Sequence, residues 1–199
     1  MKKLFYLKLF LYFSLIGLII FSSFFVLYIN DIKNINISAK ELSNSFLISR
    51  LYSNDSSYIS NNLNTNSSFD NFIIGIIKIN KIKLDYPILS KVSDELLKIG
   101  PCRFAGPNPN EIGNLCIAGH NYIDNTFFAK IYLLENGDEV KIYGMDGSFK
   151  NYVVFNKTEI ENTDFSCTSQ YTNNKKIVTL LTCNTLNNRK RIVQCIEKE

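Results

Sequence analysis

Hydrophobic and polar positions divide the chain into three stretches of different rhythm. Residues 9–29 carry no charge and are mostly Leu, Ile, Phe, Val and Tyr. Such a run is long enough to cross a hydrocarbon core of about 30 Å as a helix. Residues 31–70 are rich in Asn and Ser. Within them Leu42, Phe46, Leu47 and Leu51 have the spacing of a short amphipathic helix over 38–52, with Ser38 and Glu41 as its capping box. Residues 53–68 hold no period and read as a flexible tail. From Phe72 the apolar residues come in short runs broken by turn residues. Strands are predicted over 73–79, 82–89, 102–105, 115–118, 138–143, 148–155, 177–183 and 191–196. Asn80-Lys81 and Met145-Asp146-Gly147 mark turns, and Pro87 marks an edge or a bulge. Ser93 caps a short helix over 93–98, and residues 126–134 are the other helix candidate. Many short strands at close spacing indicate a mostly β protein, a closed or nearly closed barrel rather than a βαβ sheet.

Charge changes the picture only at the N-terminus. Lys2, Lys3 and Lys8 account for three of the net +4, leaving +1 for the remainder, so no basic surface for nucleic acid is implied. The same three lysines, ahead of the apolar run, place the N-terminus in the cytoplasm and the bulk of the chain outside. A cleaved signal peptide is the competing reading. The run exceeds a usual signal core, and Leu27-Tyr28-Ile29-Asn30 offers no small-x-small cleavage site, so an uncleaved signal anchor is favoured. The expected organisation is a basic tail and anchor over 1–30, an extracellular stalk over 31–70 and a β domain over 71–199. For the stalk helix, packing on the domain is the alternative to holding it off the membrane.

Two strand ends carry candidate chemistry. Ile177-Val178-Thr179-Leu180-Leu181-Thr182-Cys183 reads as a buried strand whose last residue is a thiol at the edge of a polar turn. A strand end fixes the direction of a side chain while the turn leaves it reachable, as a nucleophile requires. A buried, inert thiol is the commoner use of a cysteine. The segment Leu115-Cys116-Ile117-Ala118-Gly119-His120 is another short strand, and it delivers the single histidine of the chain behind a glycine. Any Cys–His catalysis must therefore use His120. No serine sits in a nucleophile elbow, and the five cysteines show no C-x-x-C spacing for zinc.

These motifs together resemble the sortase family of cysteine transpeptidases. The resemblance rests on Thr179-Leu180-Leu181-Thr182-Cys183 followed by Arg191-Ile192-Val193, and on the segment from Gly113 to Asn121 that holds His120. Phe127-Phe128, Leu134-Glu135-Asn136-Gly137-Asp138 and Asn162-Thr163-Asp164 add to it, the last being similar to classes A and D. It covers about residues 72–196. It implies a sortase-type closed eight-stranded β-barrel with short helices behind an N-terminal transmembrane helix, in a single-pass protein of the cell membrane. Cys183 would be the nucleophile and His120 the acid/base. Arg191 would steady the substrate or the oxyanion, in preference to Arg189, because residues 187–190 read as a turn. Ala118 and Thr182 are implied as substrate-binding residues. The partners implied are an LPxTG-like sorting-signal peptide and an amine acceptor, peptidoglycan of a Gram-positive cell being the leading choice.

Other readings stay open at this level. A pilin-polymerising sortase would carry a lid with a D-P-x motif ahead of the barrel, and residues 31–70 hold no proline. An inactive peptide-binding barrel would leave Cys183 inert, and a plain hydrolase would pass the acyl group to water. Cys102, Cys116, Cys167 and Cys195 allow three disulfide pairings, with buried free thiols favoured for Cys116 and Cys195. Glu111, Glu159, Glu161 and Asp164 are the only acids that suggest a calcium site. Scattered loop acids are more often solvated, so no metal or other cofactor is expected. The connection over about 159–176, which sets specificity in the family, is too short for the helical insert of class B.

Overall fold

The structure, a computed structural model, describes residues 2–51, 72–123 and 125–198. The chain forms two compact units, residues 1–35 and residues 36–199. Helix α1 (Lys2–Leu51) holds the apolar stretch Lys8–Asp31, which is long and apolar enough to cross a membrane and is wholly unburied. Its 24 residues span about 36 Å as a helix. The helix predicted over 38–52 is not a separate element. α1 runs unbroken through it, so Ser38 is an interior position and not a cap. The Asn/Ser-rich tail over 53–68 lies outside the described residues.

The remainder is a closed barrel of eight strands, β1 (Ile73–Ile79), β2 (Leu84–Leu89), β3 (Cys102–Ala105), β4 (Gly113–Ala118), β5 (Glu139–Tyr143), β6 (Phe149–Glu161), β7 (Lys176–Asn184) and β8 (Arg189–Glu197). Around the barrel the order is β1-β2-β3-β4-β7-β8-β6-β5. Alternate residues of each strand point inward. Ile76, Ile77, Ile79, Ile88, Ile117, Ile142 and Leu180 are all fully buried. β4 and β7 are buried along almost their whole length, on both faces. Their outer face is covered by a cluster of Cys116, Cys167, Leu181 and Ile192, against which Ala105, Ala118 and Ile160 pack. Cys167 belongs to the connection between β6 and β7, so that connection lies over the outside of the two strands.

Several predicted boundaries shift, each for a local reason. Residues 126–134 form turns and a short 3-10 turn at Ile131–Leu133 rather than an α-helix. Asn125 and Phe127 have φ of 66° and 49°, which a helix cannot accommodate. Asn80–Ile82 is likewise a 3-10 turn, closed by Lys83 in the left-handed region. β6 extends to Glu161 and β8 begins at Arg189. Residues 189 and 190, expected in a turn, are therefore strand residues opposite Asn184 and Cys183. Pro87 pairs with Ile76 of β1, and the far edge of β2 meets β3 only at Leu89–Cys102, so its missing N–H falls on a nearly open edge. Ser93 caps α2 (Asp94–Leu97), its hydroxyl accepting from the Leu96 amide at 3.2 Å.

Candidate active site

The site is set by one pairing that no hairpin creates. β4 and β7 run parallel, in register from Gly113–Lys176 to Ala118–Leu181. Parallel neighbours end at the same edge of a sheet, so both strands deliver their C-terminal residues to one place. Two residues beyond Ala118 stands His120, and two beyond Leu181 stands Cys183. Ala118 and Leu181 share the outer face, and a period of two returns His120 and Cys183 to it.

Three bonds hold this edge together beyond the regular ladder. The Gly119 amide donates to the Leu181 carbonyl at 3.1 Å. The Thr182 hydroxyl donates to the Gly119 carbonyl at 2.6 Å, and the Asn121 side-chain amide donates to the Cys183 carbonyl at 3.1 Å. His120 is thus fixed on both sides to the backbone that carries Cys183. Downstream, the Phe128 amide donates to the His120 carbonyl at 3.0 Å and Asn121 bridges to Phe127, closing the loop after the histidine. Gly119 has to be glycine, because a Cβ there would lie 2.7 Å from the buried Phe128 ring. The structure thereby gives Thr182 a use other than substrate contact. It is buried, and its hydroxyl is committed to Gly119.

The two groups differ in environment. Of five free cysteines only Cys183 is exposed, while Cys102, Cys116, Cys167 and Cys195 are buried. Burial pushes the Cys102 and Cys116 thiols up to about 12 and raises those of Cys167 and Cys195 as well. These four thiols are held from reaction by being kept protonated and inaccessible. His120 is half-buried, its ring 4.9 Å from that of Tyr122 at 44°. Burial pushes its imidazole below the usual value. Asp94 pulls it back up, and Lys98 adds to the lowering.

Comparison with known proteins follows the same lines. The family model of the sortase domain matches residues 77–198. The chain belongs to the sortase family. Solved structures similar to it include a sortase D5 transpeptidase of Clostridium perfringens, 28% identical with a TM-score of 0.58, covering 64% of this chain and 79% of that one. Sortase A of Listeria monocytogenes, at 19% identity and a TM-score of 0.59, covers 64% and 88%. Sortase C of Streptococcus pneumoniae, at 21% and 0.59, covers 67% and 72%. These last two show the shared fold. No curated sequence matches the chain. As a member of the family it is a cysteine transpeptidase.

In this sortase Arg191 stands opposite Thr182, one residue removed from the pair Cys183–Lys190. Its guanidinium carbon lies 5.4 Å from the centre of the Tyr132 ring, and its Nη2 lies 3.2 Å from Glu159 Oε1. Lys190, directly across from the nucleophile, is turned aside, donating to the Asp164 carbonyl at 3.0 Å and lying 3.5 Å over Phe165. Arg189 reaches Glu161 at 3.2 Å and the Glu159 carbonyl at 3.1 Å. The acids weighed for calcium are engaged with protein groups. Glu111 accepts from Asn108, and the Asp164 carboxylate from the Ser166 amide. Among the described residues no three His, Cys, Asp or Glu side chains converge as a metal site.

Sequence reasoning missed two residues that organise this region. Asn114, buried on β4, accepts from Thr179 Oγ1 at 2.8 Å and donates to the carbonyls of Cys167 at 2.9 Å and Ser169 at 3.1 Å. It ties β7 and the β6–β7 connection to one point. The second is Glu159. A buried Asn within an apolar strand was the available signal for the first; the second had none.

Proposed function

We propose that this sortase cleaves an LPxTG-like sorting signal and transfers the resulting acyl group to an amine, peptidoglycan being the acceptor. The Cys183 sulfur attacks the threonine carbonyl carbon, and the tetrahedral intermediate expels the amine of the next residue as His120 gives it a proton. A thioester remains on Cys183. The acceptor amine then attacks it and loses its proton to His120, which returns the free thiol. Arg191 steadies the peptide or the oxyanion with a charge that titration cannot remove. Ala118, on the same outer face as Cys183, lines the peptide's path, and Thr182 serves it from beneath through Gly119. The observation that carries this reading is the parallel register of β4 and β7, which levels the half-buried imidazole with the one exposed thiol.

The reading extends to placement and class. Residues 1–30 anchor the protein with the basic N-terminus in the cytoplasm, residues 31–70 form the stalk and residues 71–199 act outside the membrane. Class A or D is supported by the short β6–β7 connection, which holds only one 3-10 turn at Ser166–Thr168, and by the 28% identity to the sortase D5. The test uses the full-length protein in detergent micelles with a library of sorting-signal peptides and hydroxylamine or triglycine as acceptor, read by mass spectrometry. Hydroxamate or transpeptidation product from the wild type and none from Cys183→Ala is expected. No product from any peptide, or product from the alanine variant, would sink the proposal. Free acid as the sole product would make it a hydrolase.

A further inference from the structure

Glu159 has no part in the chemistry above, yet three elements meet on its carboxylate. It stands on β6 directly across from Arg191 on β8, where cross-strand side chains share a face. Asn184, the buried residue next to the nucleophile, donates to Oε1 at 2.7 Å, and Asn187 of the β7–β8 turn donates to Oε2 at 2.8 Å. These two bonds fix the carboxylate in direction. Asn184 and Asn187 are in turn set by local bonds, their Oδ1 atoms accepting from the amides of Leu186 at 3.1 Å and Arg189 at 3.2 Å. The guanidinium of Arg191 then meets a fixed acceptor at 3.2 Å, with its side chain only 19% exposed.

A solvated arginine has several rotamers to choose among, and a donor must be in place before charge develops if it is to stabilise a transition state. We propose that Glu159 is a positioning residue that holds the Arg191 guanidinium beside the Cys183 strand end. Nη2 is the edge given to Glu159, and the opposite edge of the fork is presented to the peptide. The inference rests on the role assigned to Arg191 above. It predicts that Glu159 acts through Arg191 and not independently of it.

The test is a double-mutant cycle in the full-length protein in micelles, with Glu159→Gln, Arg191→Ala and the pair, using a fluorogenic LPxTG-type peptide and hydroxylamine. Misplacing a catalytic group by about 1 Å costs up to about 100-fold. Glu159→Gln is expected to lower kcat/KM by about 10- to 100-fold, mainly in kcat. In the Arg191→Ala background it should change nothing beyond about twofold. Losses that multiply in the pair, or wild-type turnover in Glu159→Gln, overturn the proposal. Arginine-selective 15N NMR reads the holding without turnover. A slowly exchanging Arg191 guanidinium signal in the wild type should be lost in Glu159→Gln and in Glu159→Asp, whose carboxylate falls one methylene short. An unchanged signal overturns the proposal even if no peptide turns over, a result that would by itself count only against the transpeptidation reading.

Discussion

Replacing Thr182 by valine separates two uses of that residue. The change keeps volume and β-branching and exchanges the hydroxyl for a methyl, so no cavity forms. What is lost is the 2.6 Å bond to the Gly119 carbonyl, between groups that are both buried. A carbonyl left without its donor in a buried site costs about 1–3 kcal/mol. For a domain of this size that corresponds to roughly 3–9 °C in Tm, at about 3 °C per kcal/mol. Thr182→Ser keeps the donor and gives up one methyl, about 0.8 kcal/mol. The expected order of stability is therefore wild type, serine, valine, measured by thermal unfolding of the full-length protein in micelles. Because Gly119 precedes His120, the valine variant should also lose kcat with the sorting-signal peptide, while the serine variant keeps most of it. Should Thr182→Val melt with the wild type and differ only by a raised KM, the hydroxyl belongs to the peptide, and its placement on Gly119 here would have no energetic meaning.

Two further outcomes follow from the same edge. Gly119→Ala drives a Cβ to 2.7 Å from a Phe128 ring that is fully buried; a loss of about 1–3 kcal/mol is expected, partly restored in Gly119→Ala/Phe128→Leu, and equal stability of the single variant and wild type would refute the clash. Burial lowers the His120 imidazole below its unfolded value near 6.5, so the unfolded chain binds more protons between the two values and stability falls as pH drops through that window. Wild-type Tm should decline between pH 7.5 and 5.5 more steeply than that of His120→Gln, because the carboxylates with lowered values lose their contribution only below about pH 4.5; parallel declines would refute it.

How much of this was legible in the sequence depended on whether the signal was local. β1, β3 and β7, the Asp-Gly hairpin turn and the Ser93 cap each follow from residues within a short window. Cys183 and His120 were visible because each closes an apolar run. The pairing that makes them a site was not visible from periodicity, since Ala118 and Leu181 are 63 positions apart and a parallel pair leaves no turn to mark it. That relation came from resemblance, and the register now supplies its physical form. The second half of β6 was missed because Asn156, Lys157, Thr158, Glu159 and Glu161 read as loop. They are strand residues with polar side chains engaged at the rim, such as Lys157 donating to the Tyr132 carbonyl at 3.0 Å. The same polar run concealed Glu159. Residues 126–134 misled in the opposite sense, with helical apolar spacing on a backbone that turns at Asn125 and Phe127.

The parallel pair also explains why so few polar bonds suffice at the site. An antiparallel hairpin would bring the end of one strand to the start of the other, and two catalytic groups would then need separate elements to meet. Here β4 and β7 end together, and their ladder fixes His120 and Cys183 in one operation. The remaining freedom lies in the loops that leave the two strands. After His120 it is removed by Asn121 on the Cys183 carbonyl and by Phe128 on the His120 carbonyl. After Cys183 it is removed by Asn184 on Glu159. Each bond is made to a group already fixed by the barrel. The imidazole and thiol therefore keep their relation without a bond to each other, and the sulfur remains open to a peptide.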